Sequence, residues 1–326
     1  MIDKYNVSLG VTNTCNMKCN FCYRAKANKS YKDHMSIENA KKILDKVLND
    51  PNFNNYIQFL GAEPSMNFDV IKYAMDRCED RVYYSMTSNG YFLDYPDTYD
   101  YIRKLDDLTI SIESTEHLYN ITRGGKNLNA LVDKAIELHH HNMSFSISLT
   151  KAFFNEIEDF FPLYNKILSA RIPVSFKDLD AIDNGYKDIK DYATCLKILK
   201  ELFGDSPSTL KEFEKSSCSL DSSLCINPDL SIIPCLGYAE FIDWDLHFDD
   251  IDDILSAVNK MIEMFAVTKS NAPDYCKGCV LEDKFCRNRC EVSGGRRLLM
   301  KDKNVFDQQC EMRILKYYIA KGDIVL

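Results

Sequence analysis

Val7-Ser8-Leu9-Gly10-Val11-Thr12 alternates apolar with small or polar residues as a strand does, and Cys15-Asn16-Met17-Lys18-Cys19-Asn20-Phe21-Cys22 follows at its end. Three cysteines within eight residues are one too few for a structural metal site, which is normally closed by four ligands. Three thiolates can instead hold three corners of a four-iron cluster and leave the fourth iron without a protein ligand. That iron is a place for a substrate to bind. The first strand therefore ends in a candidate metal loop.

The strand-helix alternation continues from there. Ser36 is a plausible N-cap for a helix to about residue 48, with Ile37, Ala40, Ile43, Leu44 and Val47 on one face. Tyr56-Ile57-Gln58-Phe59-Leu60 reads as a second strand, closed by Gly61-Ala62-Glu63-Pro64. Helices over about 68–78, 98–104, 127–141 and 156–169 then alternate with strands over 82–87, 108–112, 144–149 and 173–176. Such units imply an α/β fold, a parallel sheet with helices outside it. Ligands collect at the C-terminal ends of such strands. The cysteine loop, Gly61–Pro64, Ser88–Gly90 and Ser111–Glu113 all fall there, so one shared site is expected.

Composition narrows the function class. The chain has 326 residues, 40 basic against 49 acidic, for a net charge of −9. No long basic block provides the electrostatic footprint of nucleic-acid binding. No run approaches the ~20 apolar residues of a membrane helix, and no signal-peptide pattern precedes the first strand, so a cytoplasmic protein is expected. Of the 13 cysteines, Cys78 and Cys195 fall in helical patterns and read as ordinary buried thiols. Clustered cysteines in a reducing compartment usually bind metal. Cys218, Cys225, Cys235, Cys276, Cys279, Cys286, Cys290 and Cys310 make up two further sets of four. Gly204-Asp205-Ser206-Pro207 breaks the last helical pattern of the first region, and a domain boundary is placed near there.

Cys15-x3-Cys19-x2-Cys22 after a first strand, with Phe21 and Tyr23 flanking the third cysteine, resembles the cluster loop of the radical S-adenosylmethionine (radical SAM) enzymes. Gly61-Ala62-Glu63-Pro64 is similar to that family's Gly-Gly-Glu-Pro element, with Ala62 in place of the second glycine. The resemblance implies that Glu63 and the backbone of Gly61 and Ala62 receive the methionine ammonium, and that Phe21 and Tyr23 border the adenine. It also implies that Ser88, Asn89, Ser111, Glu113 and Arg123 lie near the ribose and the methionine carboxylate. Cys276-x2-Cys279-x6-Cys286-x3-Cys290, followed by Cys310, looks like the SPASM extension, with one loop a residue longer than the commonest pattern.

The family pattern implies one auxiliary cluster on Cys218, Cys225, Cys235 and Cys290 and a second on Cys276, Cys279, Cys286 and Cys310. The cofactors expected are thus three [4Fe–4S] clusters and S-adenosylmethionine. The implied fold is a partial (β/α)6, TIM-like barrel over residues 1–210, a small Cys-rich iron-sulfur SPASM domain over 211–310 and a C-terminal helix over 311–326.

The implied activity is reductive cleavage of S-adenosylmethionine to a 5′-deoxyadenosyl radical that takes hydrogen from a peptide residue, in the maturation of a ribosomally made natural product. A peptide or protein substrate and a reductant such as flavodoxin or ferredoxin are the expected partners; because the first strand begins at about residue 5 and leaves no room for a leader-binding domain, either a separate leader-binding protein or leader-independent recognition is expected. The alternatives are a sulfatase-maturase-like oxidase, disfavoured by Leu236 where those proteins carry aspartate, an enzyme acting on a small molecule or tetrapyrrole, and a non-catalytic zinc-held binding protein. Asp178, Asp180, Asp183, Tyr238, Asp243 and Asp245 are the candidates for a general acid or base. His139-His140-His141 reads as a polar helix end, since consecutive helical residues point about 100° apart and cannot converge on one ion.

Overall fold

A computed structural model describes residues 2–22, 33–125, 127–178, 185, 186, 188–203, 223–233, 246–261 and 315, with Asp178 and Ile189 as backbone only. The expected positions Tyr23, Asp180, Asp183, Cys218, Cys235, Tyr238, Asp243, Asp245, Cys276, Cys279, Cys286, Cys290 and Cys310 lie outside the described residues, as does all but Leu315 of the C-terminal helix.

Alternation organises the first strand, β1 (Tyr5–Thr12): Tyr5, Val7, Leu9 and Val11 are buried against helices, while Asn6, Ser8 and Gly10 turn to the other face. Helix α1 (Ile37–Val47) begins at Ser36, whose hydroxyl accepts from Asn39 N at 3.0 Å. It buries Ala40, Ile43, Leu44 and Val47. Ile37, expected on that face, is 41% exposed because it stands in the first turn, beyond the reach of the sheet.

The remaining elements keep the expected order. They are β2 (Phe53–Gly61), α2 (Phe68–Cys78), β3 (Tyr83–Ser88), the short α3 (Tyr99–Ile102) and β4 (Asp107–Ile112). Then come α4 (Leu128–Leu138), β5 (Met143–Leu149), α5 (Lys151–Asn155), α6 (Ile157–Ser169), β6 (Val174–Asp178) and α7 (Ile189–Phe203). Cys78 and Cys195 are buried on α2 and α7, as expected of ordinary thiols.

The sheet runs β6-β5-β4-β3-β2-β1-β7-β8, with β7 (Ser223–Ile226) and β8 (Ile232–Ile233) at one edge. All pairs are parallel except β7 with β8. This is the expected α/β architecture, an open sheet rather than a closed barrel among the described residues. The sheet continues past residue 210, since β7 pairs with β1 and sets Cys225 opposite Ser8.

One face of the sheet packs on helices. Phe153, Phe160, Phe176 and Phe203 meet there with ring centroids 5.0–6.3 Å apart. The other face is hydroxyl-rich: Ser85, Thr87, Thr109, Ser111, Ser144, Ser146 and Ser175 alternate with the buried apolar residues, and Thr109 Oγ1 meets Ser144 Oγ across strands at 3.2 Å. Lys177 follows Phe176 onto that face, where its charge opposes the upward push that burial gives the Asp107 carboxyl.

His139 ends α4 in the left-handed conformation (φ 52°). His140, expected as part of a polar helix end, is instead buried at 8% exposure; burial, reinforced by His141, lowers its pKa to about 4.

Candidate active site

The loop after β1 is tied to the loop after β2 by backbone bonds and by Asn67, whose Nδ2 donates to Met35 O at 2.9 Å. Ala62 N donates to Thr12 O and Glu63 N to Thr14 O, each at 3.0 Å. That approach dictates the first residue of the turn. Gly61 has φ 152°, and a Cβ there would lie 2.4 Å from Thr12 O. Position 62 has no such restriction, which is why alanine stands in the second place of the motif.

Within the loop, Met17 N donates to Cys15 Sγ at 3.3 Å and Cys22 N to Cys19 O at 3.1 Å. Cys15 is exposed, and Cys19 and Cys22 are half-buried. Burial pushes the Cys19 thiol up to about 11; Arg123 opposes the shift and Cys22 and Cys15 add to it. Burial also raises Cys15, with Glu63 and Cys22 contributing.

Among the described residues no three His, Cys, Asp or Glu side chains converge closely enough to hold a single metal ion. Cys15, Cys19 and Cys22 on one loop are the donors that would hold a multi-iron cluster, whose positive irons would take the thiols as thiolates. Two buried hydroxyls without a hydrogen-bond partner, Thr14 Oγ1 and Ser114 Oγ, lie just past the ends of β1 and β4.

Glu63 is 1% exposed. Its Oε1 accepts from Ser65 N (3.1 Å), Ser65 Oγ (2.5 Å) and Ser88 Oγ (2.7 Å), and its Oε2 accepts from Asn89 N (2.7 Å). Acceptor capacity therefore remains on Oε2. Burial pushes the carboxyl up, and these donors pull it back. No side-chain cation among the described residues takes part. A buried carboxylate without a cation is a site for a cationic ligand.

A second network surrounds Arg123, which is 7% exposed. The π-helical turn Tyr119–Arg123 brings its side chain inward, and Gly124 follows in the left-handed conformation. Arg123 Nε donates to Glu113 Oε1 at 2.7 Å, and Nη2 reaches Ile112 O and Ser148 Oγ, each at 3.4 Å. Its guanidinium lies 5.1 Å from the Phe21 ring centre. Asn20 N donates to Thr122 O at 2.8 Å, so the same turn also holds the cysteine loop.

The structure thus brings Cys15, Cys19, Cys22, Phe21, Gly61, Ala62, Glu63, Ser88, Asn89, Glu113 and Arg123 to the C-terminal end of the sheet. Ser111 lies on β4 opposite Ser146, and the hydrogen bonds of the described residues do not tie it to either network. Asp178 ends β6 opposite Leu149.

Sequence reasoning missed Asn16, Ser65, Ser114 and Ser148. Only Ser65 had a local signal: Glu63-Pro64-Ser65 opens the 3-10 turn Pro64–Asn67 with an acidic cap and proline in the first turn. The three histidines form no metal site among the described residues.

Residues 9–159 match the model of the Radical SAM superfamily. The radical SAM cyclopropyl synthase TigE of Paramaledivibacter caminithermalis is 25% identical, over 92% of this chain and 75% of that protein. Among solved structures, Streptococcus suis SuiB bound to S-adenosylmethionine superposes with a TM-score of 0.68 at 16% identity, over 92% of this chain and 75% of SuiB. AnSMEcpe with bound AdoMet gives 0.63 at 18% identity, over 92% of this chain and 99% of that one. SuiB has also been solved with its precursor peptide SuiA, and anSMEcpe with the Cp18Cys peptide. Among the described residues no helix is long and apolar enough to cross a membrane. Residues 9–159, the region that matches the Radical SAM superfamily, contain the cysteine loop and the Glu63 turn described above, and the chain is an enzyme.

Proposed function

We propose that this enzyme binds S-adenosylmethionine through Glu63 beside a [4Fe–4S] cluster on Cys15, Cys19 and Cys22, and modifies a residue of a peptide, the precursor of a ribosomally made natural product. The carrying observation is the buried Glu63 carboxylate, surrounded by four neutral donors and lacking a cation, next to three thiols on one loop. When bound, the cofactors supply a 5′-deoxyadenosyl radical able to take a hydrogen atom from the peptide. Glu63 Oε2 would accept from the methionine ammonium, Phe21 and Tyr23 would border the adenine, and Arg123, held by Glu113, would offer positive charge to the methionine carboxylate. The hydroxyl-rich sheet face offers hydrogen bonds to a polypeptide backbone.

Two solved neighbours with this fold carry peptides, which supports the substrate class. The name of TigE favours a second reading, ring-forming carbon–carbon chemistry. The eight later cysteines would form two auxiliary clusters in a SPASM domain over residues 211–310, following a barrel over 1–210. A flavodoxin or ferredoxin would supply electrons, and a leader-binding protein would present the peptide.

The test is anaerobic co-expression with a peptide encoded beside the gene, followed by mass spectrometry. A mass change lost in Cys15→Ala, Cys19→Ala or Cys22→Ala is expected. Unmodified peptides throughout would move the reaction to a small molecule. Iron analysis should return ~12 atoms per chain for three four-iron clusters, and colourless protein with stoichiometric zinc would remove the enzyme's cofactor.

A further inference from the structure

Asn89 uses all of its side-chain polar atoms close to the iron site. Its Nδ2 donates to Cys15 Sγ at 3.7 Å and to Asn16 Oδ1 at 2.9 Å, and its Oδ1 accepts from Tyr91 N at 3.0 Å. Because a backbone N–H can only donate, the Tyr91 contact sets which way the amide faces: oxygen toward Tyr91, nitrogen toward the cysteine loop. The residue is 9% exposed and stands between Ser88, whose hydroxyl binds Glu63, and Gly90, whose left-handed backbone (φ 88°) starts the 3-10 turn Tyr91–Asp94. Its own backbone N donates to Glu63 Oε2 at 2.7 Å. One residue therefore joins the carboxylate of the cofactor site through its backbone to the first cluster cysteine through its side chain. The amide has no donor to spare for ribose or carboxylate unless one of these bonds breaks.

Resting on the radical SAM assignment and on no particular substrate, we propose that Asn89 is a positioning residue for the iron site, one whose amide donates to the Cys15 sulfur and raises the cluster's reduction potential, in place of the cofactor contact that the family resemblance implies. An N–H directed at a ligand sulfur stabilises the more negative, reduced cluster. Because the bond to Glu63 comes from the backbone, a side-chain substitution separates the two roles: it alters the sulfur's environment and leaves the Glu63 acceptor network in place.

The experiment is an EPR-monitored redox titration of the anaerobically reconstituted full chain without S-adenosylmethionine or peptide, following the signal that later responds to added S-adenosylmethionine. Iron and sulfide contents are measured in parallel. Asn89→Ala should lower the midpoint potential, Asn89→Asp should lower it further by placing an anion beside the sulfur, and Asn89→His, which keeps an N–H, should restore part of the loss. Affinity for S-adenosylmethionine should change by less than about fivefold in Asn89→Ala. Ser88→Ala should do the reverse, weakening the cofactor and leaving the potential where it was.

An unchanged potential with weakened cofactor binding in Asn89→Ala would overturn the proposal and return the residue to the cofactor. Should the substituted proteins not assemble a cluster, the wild-type chain labelled with 15N at asparagine side-chain amides provides the second measurement. Its reduced cluster should show a 15N coupling in pulsed EPR, and absence of that coupling would also overturn the proposal. Both measurements are free of peptide, so failure of the substrate assignment leaves them unaffected.

Discussion

Two buried carboxylates lie at the same end of the sheet and are handled in opposite ways. Glu113, 2% exposed, meets the Arg123 guanidinium at 2.7 Å, so its charge is balanced within the chain. Glu63, 1% exposed, is met by four neutral donors and by no cation among the described residues. Hydrogen bonds hold a carboxylate in place but leave its net charge uncompensated, and in a low-dielectric site that deficit is large. The contrast is between a carboxylate closed by a cation within the chain and one that is not: Glu113 holds Arg123, whose turn also anchors the cysteine loop, and Glu63 keeps acceptor capacity that a cation from outside would use.

Breaking the contrast directly should give the largest effects. Glu113→Gln leaves Arg123 buried without its partner and should cost about 3–5 kcal/mol of stability, read as a lowered midpoint in chemical denaturation. The double substitution Glu113→Gln with Arg123→Met should recover most of that loss. If both variants unfold alike, the pair is not the isolated unit described. Glu63→Gln removes the uncompensated charge, so stability should change far less while S-adenosylmethionine binding weakens by roughly two to three orders of magnitude, about 3–4 kcal/mol. Calorimetric titration of the reconstituted protein measures it, and retained affinity would mean that Glu63 does not receive the cation.

The turn that carries Glu63 provides a smaller test. Gly61→Ala drives a Cβ into Thr12 O in a backbone region that side chains avoid, and should cost about 2–4 kcal/mol. Ala62→Gly should be close to neutral. Equal losses at the two positions would contradict the account of the altered motif.

His140 shows a third way to bury a titratable group, which is to discharge it. Its folded pKa is depressed to about 4, below the ordinary value of 6.5, so the stabilising contribution is complete above about pH 6.5. It should be lost as pH falls from there toward 4, on the order of 3 kcal/mol. Denaturation midpoints of wild type and His140→Gln across that range should converge in acid, and parallel curves would show that the imidazole is not buried neutral.

How much of this was legible in the chain depended on how local each feature is. The strand alternation, the Ser36 cap and the order of six strand-helix units were readable because each is a pattern of near neighbours. The exposure of Ile37 was not, since a helix's first turn carries the right periodicity whether or not the sheet reaches that far. Nor was the burial of His140, which depends on the chain turning back beneath the end of α4. The join of β7 to β1 pairs residues more than 200 positions apart, for which no local pattern exists.

The sequence by itself determined which side chains are candidates for the ligand set and what chemistry they can offer. Cys15, Cys19 and Cys22 stand within eight residues, so their spacing alone marks an incomplete thiolate set, and Glu63 follows a recognisable turn. Tertiary structure alone decided what surrounds those groups: that Glu113 has a cation and Glu63 does not, and that Asn89 reaches a sulfur 74 positions earlier. The reason is physical. A ligand's identity belongs to its own side chain, whereas its charge balance and hydrogen bonds are set by whichever distant segments the sheet brings to the same end.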